Sequence, residues 1–337
     1  MSVLGRSTGL SHPGRKRRHN EDAWVCQPPL FAVADGMGGA RGGEIASRVA
    51  ATALGEAVDG SGEERVVALI QEANRQVYTR AKEDVDASGM GTTITVALVE
   101  NGVVAIGHDG DSRAYLIRDQ KMEQLTEDHS LVAELVRSGR LSPEEAEIHP
   151  QRSVITRALG TDPDVDVDSF SVEGRAGDIF LICSDGLTSM IDDEAILAIV
   201  EQGSGNLEAI AKELVGAANL SGGEDNITVV CFEVTDTAPE PPAETKAMPA
   251  VQLPPPPTEE ADEDTLSGLE SVPTVQTMVV PPEQVQALMQ RDSPLPGTVP
   301  AEPTKEHFGV QAARLIIALA VVAVLALLVY WLLGQSR

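Results

Sequence analysis

Residues 92–100 alternate between Thr and Ile, Val or Leu, and Val103–Gly107 repeats the apolar pattern beyond Asn101-Gly102. Asn-Gly between two such runs predicts a two-residue hairpin, because a type I′ turn needs positive φ at both central positions. Arg113–Arg118 and Met122–Thr126 predict a second hairpin, and Phe31–Ala34, Ile179–Cys183 and Ile227–Val234 predict three further strands. Apolar residues recur at helical spacing in Glu44–Val58, Glu64–Lys82, Asp192–Glu201 and Leu207–Ala218. Hairpins followed by helices imply an α+β fold, antiparallel sheet with helices outside, rather than a parallel α/β chain. His129–Gly160 reads as an excursion beside that core, with a helix at Leu131–Ser138, a helix start at Ser142-Pro143, and then an irregular run.

The pattern changes abruptly after residue 236. Six of the 21 prolines lie in residues 1–236 and fifteen in 237–313, beside an acidic patch at Glu259–Asp264. So little apolar surface cannot offset ordering entropy, which predicts a disordered linker, with one short helical piece at Pro282–Gln290. Leu315–Leu333 is an unbroken apolar run, long enough at 1.5 Å per residue to cross about 30 Å of hydrocarbon. The expected organisation is therefore a globular domain at 1–236, a linker at 237–313, a transmembrane helix at 314–334 inserted after synthesis, and a short tail at 335–337. Arg15–Arg18 is basic but has no apolar stretch behind it, so no signal peptide is expected and the globular part is assigned to the cytoplasmic side of the membrane.

Charge narrows the function. The chain carries a formal net charge of −27, of which −20 falls in residues 1–236. Such a surface repels phosphate backbones, so nucleic acid is excluded as a partner. The three cysteines, Cys26, Cys183 and Cys231, are far apart and form no CxxC pair, which suits neither a disulfide framework nor a zinc site.

The acids themselves are clustered: Asn20-Glu21-Asp22, Asp35-Gly36, Asp109-Gly110-Asp111, Ser184-Asp185-Gly186 and Glu224-Asp225-Asn226. Any one Asp-Gly at a strand end is most simply a turn. Together, apolar strands running straight into Asp deliver several carboxylates to the rim of the core, where they repel unless cations neutralise them. Carboxylate oxygens are the hard ligands that Mg²⁺ and Mn²⁺ prefer.

These clusters belong to a longer ordered series. It runs Arg17-Arg18-His19-Asn20-Glu21-Asp22, Val33-Ala34-Asp35-Gly36-Met37-Gly38-Gly39, Gly91-Thr92-Thr93 and Gly110-Asp111-Ser112-Arg113, then Leu125–Ser130, Ile155–Gly160, Ser184-Asp185-Gly186-Leu187 and Asp225-Asn226-Ile227-Thr228. The series resembles the metal-dependent, type 2C serine/threonine protein phosphatases in their bacterial form, over about residues 6–234.

That resemblance implies a four-layer sandwich, two antiparallel sheets flanked by helices, with a two-metal site in the cleft between the sheets. It implies Asp35, the carbonyl of Gly36, Asp185 and Asp225 as ligands of an Mn²⁺ or Mg²⁺ pair. Asp111, with Asp185, would hold a third, weaker ion. Glu21 and Asp22 would bind or orient metal-bound water, and Arg17 would grip the substrate phosphate. The reaction implied is hydrolysis of phosphoserine and phosphothreonine on proteins by a metal-bridging hydroxide. The partners implied are phosphorylated proteins and the serine/threonine kinases whose work the enzyme reverses, near the lipid reached by residues 314–334.

Several readings stay open at this level. The alternative to Arg17 is that Arg15–Arg18 is a solvated basic run, or that Arg15 or Arg18 takes the phosphate. Met37 stands where eukaryotic relatives carry a histidine, and Met cannot donate a proton. Ser189 stands where many relatives place another acid near the third ion. His129 reads as a hydrogen-bonded structural residue, and His108 as either ligand or core.

Overall fold

The computed structural model describes residues 3–38, 42–84, 89–203, 205–236 and 278–279. All belong to the first of two compact units of the chain, residues 1–290. The expected helix at Pro282–Gln290, the membrane span at 314–334 and the tail lie outside the described residues. Among the described residues no helix is long and apolar enough to cross a membrane.

Two antiparallel sheets form the centre. The first orders its strands β1 (Val3–His12), β12 (Ile227–Thr235), β11 (Ile179–Cys183), β7 (Arg113–Arg118) and β8 (Lys121–Gln124). The second orders β10 (Asp168–Glu173), β6 (Val103–Asp109), β5 (Ile94–Glu100), β3 (Leu30–Met37) and β2 (Asp22–Gln27), with β4 (Gly91–Thr92) paired to the end of β3. Helices α1 (Gly42–Ala53) and α2 (Gly62–Glu83) cover the second sheet, while α6 (Asp193–Gln202) and α7 (Leu207–Leu220) cover the first.

Strand alternation explains the layers. In β3, Phe31 and Val33 face the other sheet while Ala32 and Ala34 face the helices. In β12, Val230, Phe232 and Val234 face inward and Val229 and Cys231 face the helices. Both faces are buried, so these strands read as continuous apolar runs rather than as alternating ones. Phe232 lies between Phe31 and Phe180, with ring centroids 4.2 and 5.0 Å away.

The predicted hairpins form, with Asn101 at φ 54° and Gly102 at φ 80° in the first turn. Asp192 and Ser142 cap their helices, Ser142 through a reciprocal capping box with Glu145. Helix α1 stops at Ala53, short of the expected Val58, where the N–H groups of Gly55 and Glu56 turn back to the carbonyls of Thr52 and Ala53. Strand β1 escaped prediction because glycines interrupt its pattern. A Cβ on Gly9 would meet the Trp24 ring at 2.5 Å, so an aromatic from β2 fills the place a side chain would take.

The excursion contains α3 (Leu131–Arg137), α4 (Pro143–Glu147) and β9 (Val154–Ile155). Within the stretch expected to be disordered, Met278–Val279 form a strand, β13, that pairs in parallel with β9.

Candidate active site

The site follows from the alternation that builds the inter-sheet core. Continuing the inward parity of Phe31 and Val33 along β3 gives Asp35; continuing that of Trp24 along β2 gives Asp22. On the opposite sheet the same step beyond Ile182 and Val230 gives Ser184 and Thr228. At one end of the sandwich, then, a rung of polar side chains replaces the apolar ones.

Asp22 and Asp35 face each other directly across β2 and β3. Asp22 Oδ2 accepts from Ser184 Oγ at 2.9 Å and Thr228 Oγ1 at 2.5 Å, while its buried Oδ1 has no hydrogen-bond partner. Burial, opposed by those two hydroxyls and reinforced by Asp225 and Asp185, pushes its carboxyl up to about 7. Asp35 is held through its backbone, its N–H donating to Thr93 Oγ1 and its carbonyl accepting from Thr92 Oγ1 and the Thr93 N–H. Burial and the charges of Asp22, Asp185, Asp225 and Asp111 raise its carboxyl well above the usual range.

Asp185 opens the short helix α5 (Asp185–Thr188) at the end of β11. Burial and Asp225 raise it to about 6, a hydrogen bond with Asp35 lowers it, and its buried Oδ1 has no hydrogen-bond partner. Asp111 is also raised, by burial and then by Asp185, so it belongs to the same cluster.

Gly36 lies where the backbone itself approaches. A Cβ there would come within 2.1 Å of the Gly43 carbonyl and 2.5 Å of the Glu21 carbonyl, so no side chain fits. The Glu21 carbonyl receives the Gly36 N–H at 3.2 Å and the Ser47 hydroxyl at 2.5 Å.

Arg17 Nη2 reaches Asp225 Oδ2 at 2.7 Å, and its Nη1 lies 4.0 Å from Glu21 Oε2. Of the basic run Arg15–Arg18, Arg17 is therefore the member turned into the carboxylate cluster. Lys16 pairs with Glu224, and Arg15 donates to the Asn219 carbonyl. The Glu21 carboxyl is raised by burial against the pull of Arg17.

Asn226 has a role that the motif pattern alone does not assign. Its side chain accepts from the Glu21 N–H at 2.7 Å and donates to the carbonyls of Pro13 and His19 at 3.0 Å each. It thereby ties the loop carrying Arg17 and Glu21 to the start of β12. Ser184 and Thr228 likewise stand in the sequence only as motif neighbours; their parity with the inward residues was the available signal.

The remaining candidates fall outside the cluster. His108 is buried, its Nε2 donates to the Glu127 carbonyl at 3.0 Å, and its Nδ1 is 2.9 Å from Thr95 Oγ1. Burial, followed by His129, depresses it to about 3, so it is a neutral core residue. His129 accepts the Gly110 N–H at Nδ1, returns its own backbone N–H to the Gly110 carbonyl, and meets Asp168 through Nε2. Arg157 pairs with both Asp109 and Asp168 beside it. Met37 is buried against Ile155 and Ala158, and the Ser189 N–H donates to the Asp185 carbonyl.

The donor set fits hard divalent cations. Orphaned oxygens on Asp22 and Asp185 and mutually raised acids are what a missing positive charge leaves behind. Among the described residues, no three His, Cys, Asp or Glu side chains close around one point. Mg²⁺-like ions do not require that, since they keep several waters and take one or two carboxylates each.

Comparison with known proteins shows what the chain as a whole is similar to. The family model described as protein phosphatase 2C matches residues 8–217. The serine/threonine phosphatase stp of Listeria innocua is 41% identical over 233 residues, spanning 65% of this chain and 92% of that protein. The serine/threonine protein phosphatase PstP of Mycobacterium tuberculosis is 39% identical over 240 residues, 70% of this chain but 46% of its own length. Among solved structures, the catalytic domain of PstP in complex with two manganese ions superposes with a TM-score of 0.64 at 36% identity, covering 70% of this chain and all of that one. Stp1 from Staphylococcus aureus gives 0.64 at 35% identity, covering 68% and 95%.

Proposed function

This chain belongs to the protein phosphatase 2C family of metal-dependent serine/threonine protein phosphatases, and we propose that the polar rung between its sheets is the site where phosphoserine and phosphothreonine esters are hydrolysed. The observation that carries the assignment is the placement of Asp22 directly opposite Asp35 at the sheet rim, tied across to Ser184 and Thr228 of the other sheet, with Arg17 held on Asp225 beside them.

In this reading Asp35, the Gly36 carbonyl, Asp185 and Asp225 hold a pair of Mn²⁺ or Mg²⁺ ions, and Asp111 with Asp185 holds a third more weakly. The ions supply neutralising charge and acidify water, so that a nucleophile is available near neutral pH. The Asp22 carboxylate, fixed by Ser184 and Thr228, keeps Oδ1 for a water, and Glu21 orients a second from the loop secured by Asn226. Arg17 presents its guanidinium beside Asp225, where a forked pair of N–H donors can bind phosphate oxygens and offset charge that develops during displacement. Met37 offers no proton, so the leaving alkoxide takes its proton from solvent in the site.

The finer setting is part of the same proposal. Residues 314–334 anchor the enzyme to a membrane, with the catalytic domain on the cytoplasmic side. Its substrates are then proteins phosphorylated by membrane-associated serine/threonine kinases, whose local concentration tethering raises.

The test is hydrolysis of p-nitrophenyl phosphate and a phosphothreonine peptide by residues 1–240 with Mn²⁺, Mg²⁺ or EDTA, beside Asp185→Asn. Turnover that requires the cation and disappears in the variant is expected. A folded protein inactive under every metal would overturn the assignment.

A further inference from the structure

Strand β9 has two edges. One is held by the core of the excursion: Ile155 bridges Ser130 in antiparallel fashion, and the Thr156 N–H donates to the His129 carbonyl at 2.8 Å. The other receives Met278–Val279, in the register Met278↔Val154 and Val279↔Ile155. Ile155 is fully buried and packs on Met37, which directly follows Gly36 in β3. The tail strand is therefore one strand removed from a residue that touches the metal-binding turn.

The route of the chain makes the pairing informative. The last residue of β12, Thr235, pairs with Val3, whereas its first, Ile227, follows Asn226 and Asp225. Nine residues of strand span about 30 Å, so the chain leaves the domain at the end opposite the site. It returns, 43 residues after Thr235, to the site end at Met278. An extended segment added to an exposed strand edge gains main-chain hydrogen bonds whatever its side chains. Among the described residues the ladder consists of two pairs, Met278↔Val154 and Val279↔Ile155.

We propose that β13, Met278–Val279, is a strap that docks on the second edge of β9, holds the excursion against the core and narrows the approach of phosphorylated polypeptides to the cleft. The strap rests on the phosphatase reading for its consequence but not for its existence. A small ester enters without displacing the excursion; a peptide lying across the cleft competes with the strap for the same edge.

The experiment uses the full chain in detergent, loaded with Mn²⁺, beside the double variant Met278→Pro/Val279→Pro, which cannot donate from either strand residue. Hydrogen exchange at Val154, Ile155 and their neighbours should become at least about tenfold faster in the variant. KM for a phosphothreonine peptide should fall severalfold with kcat retained, and turnover of p-nitrophenyl phosphate should stay within about twofold. Unchanged exchange at β9, or faster exchange with an unchanged peptide KM, would overturn the strap. Mn²⁺-dependent turnover of the small ester in both proteins tests the phosphatase reading separately.

Discussion

The inter-sheet layer has a middle and a rim, built from the same strands with the same alternation. In the middle, Phe31, Phe180 and Phe232 stack and lose all contact with water. At the rim, a step or two further along the same strands, stand Asp22, Asp35, Ser184 and Thr228. The middle gains stability from burial. The rim loses it, because acids brought together away from water repel one another and prefer to stay protonated. One pattern of inward-facing positions thus serves two opposed ends, and the stable stretch lets the unstable one exist.

Four measurements sharpen or break that contrast. Phe232→Ala should cost about 3–5 kcal/mol, the usual range for truncating a buried aromatic, seen as a lower denaturant midpoint, while the folded fraction still turns over substrate. Equal loss of stability and of activity per folded molecule would mean that middle and rim are not separable. Asp185→Asn should do the reverse, lowering kcat by about 10²–10³, or about 2.7–4 kcal/mol of barrier on the scale of a lost electrostatic contact. The same variant should raise the melting temperature of the metal-free protein, because it removes a buried charge.

The third concerns pH. Asp22, Asp35, Asp111 and Asp185 are all raised in the folded state, so between the unfolded value near 4 and the folded values the folded chain binds more protons. By linkage, the stability of metal-free protein is then greatest at the acid end of that window and falls as pH rises through about 6 and 7. The slope is about 1.4 kcal/mol per pH unit for each proton that the folded chain still holds and the unfolded chain has released. Melting curves in EDTA from about pH 5 to pH 8 should show the fall, and Mn²⁺ should reverse it in a concentration-dependent way. A flat profile in EDTA would break the comparison. The smallest effect is expected for Thr228→Val, which removes one hydroxyl from Asp22 and should lower stability by about 1 kcal/mol, with a modest loss of kcat at unchanged KM.

How much of this was legible in the sequence follows from the distance over which each feature is made. The hairpin at Asn101-Gly102 is local, and its turn chemistry sufficed. Strand β11 was readable because burial on both faces leaves an apolar run. Asp35 and Asp185 could be found because apolar strands run straight into them. Strand β2 and the role of Asn226 could not, because what defines them lies elsewhere. Asn226 acts on Glu21, Pro13 and His19, more than 200 residues away. Arg17 was singled out within Arg15–Arg18 by motif position, but its contacts with Asp225, and Lys16's with Glu224, are made across more than 200 residues and could not be read locally.

The bonds from Asp22 to Ser184 and Thr228 cross 162 and 206 residues of chain. At about 5–20 residues per second, a ribosome takes roughly 10–40 s to pass from one side of that site to the other. During that interval the β2–β3 hairpin already exposes Asp22 and Asp35, but no partner strand stands opposite them. High contact order makes such closures late and slow. The nascent chain therefore has no catalytic centre until β12 has been made, and activity first appears when β12 docks between β1 and β11. Capacity to cleave phosphate is, in this molecule, a certificate that the whole domain has been made and folded.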